Sequence, residues 1–148
     1  SGFTIDDYYD DEDDDEDDKY NSTIYSIGET ARVGDLSITV NSITRNFSTG
    51  NRFDTPDDGM EYVKVNLTIA NNSKNRADYS PFDFELENGD GDIHDYATSL
   101  QDDHLGSGSL AADGRKTGSL VFEVPAKDTR LTLHYDDYSY GEASFKLY

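Results

Sequence analysis

The clearest pattern in the sequence is an alternation of apolar and polar residues between Met60 and Asn71. Its apolar positions recur at every second residue and are Val63, Val65, Leu67 and Ile69. A period of two is typical of a strand with one buried face, whereas an amphipathic helix has a period of about 3.6 residues. We therefore predict a central β-strand here, and we expect the other segments to form shorter strands that pair with it or pack across from it.

Shorter alternations follow the same rule along the rest of the chain. Their predicted inward residues are Leu36, Ile38 and Val40; Phe82, Phe84 and Leu86; Leu120, Phe122 and Val124; Leu131, Leu133 and Tyr135; and Ala143, Phe145 and Leu147. Ile43 breaks the first of these alternations, which indicates a β-bulge or a crossing between sheets. About seven to nine short strands, turn signals about every ten residues and no helical periodicity predict an all-β fold, an immunoglobulin-like two-sheet sandwich.

Two polar stretches interrupt these strands. Residues 46–59 are rich in Gly, Asp and Asn, and we predict a long loop there. Residues 98–114 are mostly small and polar, with only three leucines to anchor them, Leu100, Leu105 and Leu110. We predict that this second stretch is a mobile segment.

The formal net charge of -20 is unevenly distributed along the chain. Eleven of the 32 acidic residues lie between Asp6 and Asp18, a run that contains almost nothing apolar. Because like charges repel and no core can form there, we predict a disordered acidic linker over residues 1–22 and a folded domain over residues 23–148. The acidic balance argues against nucleic acid and anionic lipid surfaces, since both need a basic partner, and it favours cationic partners or metal ions.

Signals for catalysis are weak in this sequence. Cysteine is absent, and the three histidines, His94, His104 and His134, lie far apart without the spacing of metal ligands. Neither a Gly-x-Ser-x-Gly motif nor a phosphate-binding glycine-rich loop occurs. We predict that the chain is not an enzyme; the alternative, a hydrolase-type enzyme, requires a cleft with convergent polar groups.

Calcium is the most specific chemical hypothesis that the residues offer. Asp90, Asp92 and Asp95 follow Asn88 in a predicted hairpin and supply several oxygen ligands of the kind that calcium prefers. The stretch departs from an EF-hand loop, because Gly91 is misplaced and no Glu occupies the twelfth position. Solvated, turn-forming Asp and Asn residues are the competing explanation. A bound calcium ion would make the domain a calcium-dependent adhesion or inhibitory module, and no other cofactor is predicted.

A tyrosine-rich stretch near the end of the chain is a candidate binding surface. Tyr135, Tyr138 and Tyr140 fall within six residues of one another. Tyrosine rings form platforms for sugars and peptides, but they also pack half-buried at sandwich edges. Both explanations remain open from the sequence.

Four segments, taken together and in order, resemble a known family. They are residues 31–43, 61–71, 82–86 with the Gly-Asp-Gly hairpin that follows, and 118–125. The chain resembles a family of uncharacterised immunoglobulin-like domains of exported bacterial lipoproteins, mainly Gram-positive, whose fold is similar to that of a secreted mycobacterial immunoprotective antigen. The resemblance covers roughly residues 24–148 and implies architecture and location, without an activity or catalytic residues.

The resemblance implies an extracellular domain that is anchored at the cell surface. The sequence opens on Ser1-Gly2 without a signal peptide and has no run of about 18 apolar residues, so we expect an export signal and a lipid anchor upstream of it. The acidic run would then be a spacer between anchor and domain. We predict a non-enzymatic binding or structural module, whose partner is an unknown protein or glycan and which reaches the membrane only through that anchor.

Overall fold

The computed structural model describes residues 23–138 and 141–148, and the predicted acidic linker lies outside them. These residues form eleven strands and one short 3-10 turn at Pro81–Asp83. The strands are β1 (Ile24–Ser26), β2 (Thr30–Val33), β3 (Leu36–Thr44), β4 (Met60–Asn71), β5 (Ala77–Tyr79), β6 (Phe84–Glu87), β7 (Ile93–His94), β8 (Gly108–Leu110), β9 (Arg115–Pro125), β10 (Thr132–Asp136) and β11 (Glu142–Lys146). In the same residues there is no helix with the length and apolarity of a membrane span.

The strands form two main sheets and a small ribbon. A five-stranded sheet has the order β1-β11-β10-β6-β7, a four-stranded sheet has the order β2-β3-β4-β9, and β5 pairs with β8. The predicted two-sheet sandwich is confirmed. More strands are present than predicted because β1, β5 and β8 are only three residues long, too short to show an alternation.

Strand β4 is central, as predicted. It lies between β3 and β9 and pairs antiparallel with both, from Met60 opposite Pro125 to Asn71 opposite Leu36. Its four alternating apolar residues are completely buried. The register of β3 shifts between Val40 and Ser42, so the predicted irregularity before Ile43 is a β-bulge.

The inward faces of the two sheets meet in one hydrophobic core. Its largest fully buried side chains are Tyr135, Phe84, Phe122 and Phe145. Phe84 of β6 packs against Tyr135 of β10, with ring centroids 5.0 Å apart and ring planes tilted by 56°. Tilted pairs of this kind add favourable electrostatics to the burial of the rings.

Phe82 is the one predicted inward residue that lies on the surface, with 74% of its area exposed. The prediction for this residue is wrong because Pro81–Asp83 forms a 3-10 turn ahead of β6. The Ser80 hydroxyl accepts a hydrogen bond from the Phe82 N–H at 3.1 Å, and Pro81 has no N–H to give to a β-ladder. The turn therefore takes Phe82 out of the strand alternation.

A partly buried ion pair between Arg45 and Glu61 joins three segments at one end of the sandwich. Glu61 accepts hydrogen bonds from Arg45 Nε at 3.0 Å and Nη2 at 2.9 Å, and from the backbone N–H groups of Asn46 at 2.8 Å and Lys127 at 3.1 Å. Asn46 and Lys127 have positive φ angles of 53° and 72°, so one carboxylate holds two turns in the left-handed conformation. The Arg45 hydrogen bonds lower the pKa of Glu61 to about 2, although burial opposes the shift.

Part of the predicted mobile segment lies along the edge of β9 that faces away from β4. The Leu105 N–H donates to the Ser119 carbonyl at 2.9 Å, and the Ser119 N–H donates to the Asp103 carbonyl at 2.7 Å. Of the three predicted anchors, Leu105 and Leu110 are buried and Leu100 is exposed. Residues around 103–105 thus pair with the sheet, which the composition of the segment did not indicate.

Gly118 makes this close approach possible. A Cβ atom at this position would lie 2.8 Å from Leu105 Cα and 3.1 Å from the Asp103 carbonyl oxygen, both of them backbone atoms. We expect Gly118→Ala to lower the free energy of unfolding by about 1–3 kcal/mol, because the backbone must move to admit the methyl group. Urea unfolding and amide hydrogen exchange of Leu105 and Ser119 measure the effect.

The control for this substitution is Thr117→Ser, which retains the hydroxyl bonded to Thr68. Wild-type stability together with unchanged amide exchange in Gly118→Ala would contradict the close contact.

Candidate functional site

A shallow pocket lies on the outer face of the five-stranded sheet. We call it the outer-face pocket. The residues that line it are Phe82, Asp83, Glu85, His134, Asp136 and Tyr138. It combines aromatic, acidic and imidazole groups within one small surface.

Strand alternation brings three of the lining residues, Glu85, His134 and Asp136, to the outer face. On β10, His134 and Asp136 alternate with the buried core residues of that strand, so their side chains point away from the core. Glu85 of β6 lies directly opposite His134 in the β6–β10 pairing. Two carboxylates and one imidazole therefore share one end of the sheet surface.

Turns on either side of the strands supply the remaining groups. The 3-10 turn before β6 brings Phe82 and Asp83 to the pocket. After β10, the Asp136 carboxylate accepts a hydrogen bond from the Tyr138 N–H at 2.8 Å, and Tyr138 has a φ of 62°. This local bond holds the chain in the left-handed conformation that places the Tyr138 ring at the pocket.

The two aromatic rings of the pocket are strongly exposed. Phe82 is 74% exposed and Tyr138 is 87% exposed. The Phe82 ring also contacts Tyr96, with centroids 5.6 Å apart, and Tyr96 contacts His104 at 5.3 Å. Phe82 is thus supported from one side while its other surface is open to solvent.

The electrostatic character of the pocket is negative. Within residues 23–138 and 141–148, neither Asp83, Glu85 nor Asp136 forms an ion pair with a lysine or arginine. Burial raises the pKa of Asp83, and the negative charges of Asp137 and Asp136 raise it further. Carboxylates that repel one another in this way favour the approach of a positive charge.

His134 takes part in a hydrogen-bonded chain that the sequence did not reveal. Its Nδ1 lies 2.8 Å from Ser144 Oγ, and its Nε2 lies 2.8 Å from Glu87 Oε1. The three residues belong to β11, β10 and β6, so only the strand register could have brought them together. The order serine, histidine, acid is that of hydrolase triads, but here it lies on an open sheet surface.

The three predicted calcium ligands lie on the surface of the β6–β7 hairpin. Asn88, which is buried, organises this hairpin: its Oδ1 accepts hydrogen bonds from the N–H groups of Asp90 at 3.0 Å and Asp92 at 2.9 Å. Among the described residues, no three acidic or histidine side chains are grouped as a metal site. A calcium site at Asp90, Asp92 and Asp95 stays a prediction from the sequence.

Thermal unfolding tests that prediction. If calcium binds the hairpin, the unfolding midpoint of the full chain rises between EDTA and millimolar calcium, and Asp92→Asn removes the rise. Asp58→Asn, a substitution in the exposed 46–59 loop, is the matched control. A midpoint that calcium leaves unchanged would remove the hypothesis.

The structure separates the members of the tyrosine-rich stretch. Tyr135 is fully buried, and its hydroxyl donates to Asp137 Oδ2 at 2.7 Å. Tyr138 reaches the surface, and Tyr140 lies outside the described residues. One tyrosine of the predicted platform therefore lines the pocket, and its aromatic counterpart is Phe82, which the alternation had assigned to the core.

Comparison with known proteins supports the fold and supplies no activity. The model of a family described as a domain of unknown function matches residues 25–145. The structure is similar to the YjhA protein of Bacillus subtilis, with a TM-score of 0.71 and 20% identity over 84% of this chain and 100% of that one. No match was found among curated protein sequences.

Two further similar structures are of proteins whose descriptions name a cellular location. The candidate lipoprotein YcdA of Bacillus subtilis has a TM-score of 0.64 and 20% identity, over 78% of this chain and 37% of that one. The secreted protein MPT63 of Mycobacterium tuberculosis has a TM-score of 0.65 and 10% identity, over 84% of this chain and 98% of that one. The family resemblance predicted from the four segments is confirmed.

Proposed function

Since the chain belongs to DUF4352, a family of domains of unknown function, we propose its function from the site: it is a non-enzymatic extracellular binding module. The outer-face pocket is its recognition surface. The ligand contacts the exposed rings of Phe82 and Tyr138 and the carboxylates between them.

The exposure of the two rings carries this proposal. Burying an aromatic side chain contributes roughly 1.5–3 kcal/mol, and an exposed ring forgoes that stabilisation. Phe82 is held outward by a capped turn and Tyr138 by a bond to Asp136, so local structure maintains the exposure of both. Exposed apolar groups next to polar ones are typical of interaction sites.

The structural neighbours support an extracellular location. One of them is a candidate lipoprotein and another is a secreted protein. An extracellular domain on a lipid anchor needs a hydrophilic spacer, and the acidic run between Asp6 and Asp18 has the composition of one. We therefore propose that the domain is displayed at the cell surface, with the pocket available to partners outside the cell.

A ligand panel followed by NMR tests the binding role. The ¹⁵N-labelled full chain is titrated with chitotetraose and with blocked Gly-Gly-X-Gly-Gly peptides in which X is Lys, Glu or Phe. We expect at least one ligand to shift the amide signals of residues 82–85 and 134–138, and Phe82→Ala to weaken that binding. Phe53→Ala is the matched control, because Phe53 is also strongly exposed but lies in the 46–59 loop. Failure of every ligand to shift these amides would overturn the proposal.

A hydrolase is the second candidate function, and the Ser144–His134–Glu87 chain is the observation that favours it. The two ring nitrogens of His134 have exchanged partners relative to the serine protease triad. In that triad the serine contacts Nε2 and the acid contacts Nδ1, whereas here Ser144 contacts Nδ1 and Glu87 contacts Nε2. The exposed sheet surface also leaves a substrate in water, where electrostatic stabilisation of an oxyanion is weak.

Ester hydrolysis distinguishes the two candidates. We expect wild type and Ser144→Ala to hydrolyse p-nitrophenyl acetate at the same rate. A rate that falls at least about 100-fold in Ser144→Ala, comparable to the loss of a catalytic group, would establish the enzyme instead.

A further inference from the structure

We propose that the outer-face pocket binds a lysine or arginine side chain that a protein partner presents. The inference rests on the proposed function and gives the ligand of that site a chemical class. In the complex, the carboxylates of Asp83, Glu85 and Asp136 face the cationic group, and the rings of Phe82 and Tyr138 enclose its aliphatic stem.

Charge complementarity is the first argument. Three carboxylates line this one pocket, and none of them is paired with a lysine or arginine in the described ranges. His134 is the only other ionisable side chain besides Tyr138 that lines the pocket, and it is already bonded to Glu87 and Ser144. A cationic ligand relieves the repulsion among the carboxylates, whereas an anionic ligand increases it.

The second argument comes from the other exposed aromatic rings of this protein. Phe53 and Tyr148 are exposed like Phe82 and Tyr138, but each carries a cation of the chain itself. Arg52 lies over Phe53 at 4.9 Å, and Arg130 lies over Tyr148 at 5.2 Å. Among the residues that the structure describes, no lysine or arginine lies over Phe82 or Tyr138. The two pocket rings thus have open faces suited to a cation from outside.

The openness of the pocket favours a single side chain over a whole small molecule. Sites for drug-sized ligands are concave and bury most of the ligand's surface, whereas this pocket is shallow and open at the sheet surface. A membrane surface is a poor alternative, because its anionic lipids would be repelled by the same carboxylates.

Peptide titrations with charge-matched variants test the inference. The blocked peptide Gly-Gly-Lys-Gly-Gly is titrated into the full chain at constant ionic strength, with the amide shifts of residues 82–85 and 134–138 as readout. Binding to the acidic run is common to all variants and does not enter this local readout. We expect Asp83→Asn with Asp136→Asn to weaken binding about 5- to 20-fold.

The control removes two exposed acids elsewhere, by Asp58→Asn with Asp113→Asn, and is expected to weaken binding less than about 2-fold. Phe82→Ala is expected to weaken it about 2- to 5-fold. The acetyl-lysine form of the peptide, which keeps the stem and loses the charge, should give no local shifts.

Each other outcome overturns the inference. If both double variants bind the Lys peptide equally weakly, the peptide is attracted only by the overall negative charge of the chain. If chitotetraose or the Phe peptide binds at the pocket and the Lys peptide does not, the inference of a cationic ligand is wrong. The proposed binding function would still hold in that case. No local shift with any ligand would refute both.

Discussion

Replacement of Glu61 by glutamine is expected to lower the free energy of unfolding by about 2–4 kcal/mol, because it removes the charge of the buried partner in a partly buried ion pair. The side chain of Glu61 is only 7% exposed, and that of Arg45 is 29% exposed. Glutamine leaves the guanidinium without its counter-charge and turns an amide group toward donors of Arg45, Asn46 and Lys127. Urea unfolding at pH 7 measures the loss, and Glu142→Gln, at an exposed strand position, is the control.

The loss of stability caused by Glu61→Gln is expected to depend on pH. The pKa of Glu61 is lowered from 4.5 to about 2 in the folded chain. A carboxyl with a depressed folded-state pKa stabilises the fold at pH values above the unfolded-state pKa, and that stabilisation is lost as the pH falls through the folded-state value. The stability gap between wild type and Glu61→Gln should therefore narrow between about pH 4.5 and pH 2. A gap that stays constant over this range would contradict the role of the carboxylate charge.

Phe84→Ala is expected to destabilise the domain by about 3–5 kcal/mol, the usual range for truncating a buried phenylalanine. The neighbouring substitution Phe82→Ala should change stability by less than about 0.5 kcal/mol, since surface substitutions rarely do more. Both residues are phenylalanines two positions apart, yet Phe84 is 1% exposed and Phe82 is 74% exposed. Chemical unfolding of the two variants gives a direct comparison, because each removes the same atoms.

Equal destabilisation by the two alanines would contradict the assignment of Phe82 to the surface. It would mean that the Phe82 ring packs in the core, as the simple alternation predicts. The result also shows whether Phe82→Ala is suitable for binding measurements. If the variant keeps wild-type stability, a loss of affinity reports on binding and not on folding.

The pair Phe82 and Phe84 also shows how far the sequence predicts the fold. Alternation identifies Phe84 and the other inward residues correctly, because burial of one face gives a strand a period of two. It fails at Phe82, where Ser80 and Pro81 form a capped turn. Pro81 is a signal for a turn, but the regular alternation of Phe82, Phe84 and Leu86 predicts a strand that includes Phe82.

The candidate site was harder to predict than the fold. Its residues come from a 3-10 turn, two strands and the turn after β10, and their proximity depends on the pairing of β6 with β10. Strand pairing between distant segments leaves little trace in a single sequence. Tyr138 was recognised as a possible platform residue from its neighbours, whereas Glu85 and Asp83 resembled any solvated acid on a strand surface.

Strand pairing also brings Ser144, His134 and Glu87 together. His134 lies opposite Ser144 in one pairing and opposite Glu85 in another, with Glu87 two residues further along β6. Spacing along the chain could not have suggested this chain of hydrogen bonds. The calcium hypothesis at Asp90, Asp92 and Asp95, by contrast, comes from spacing along the chain alone, and it stays a prediction from the sequence.

Intermolecular nuclear Overhauser effects between the lysine peptide and the aromatic rings test the pocket most directly. We expect contacts from the lysine side-chain methylene protons to the rings of Phe82 and Tyr138, and none to Phe53, which carries the chain's own Arg52. Contacts to Phe53 or other rings, without any to Phe82 and Tyr138, would show that the outer-face pocket is not the binding surface.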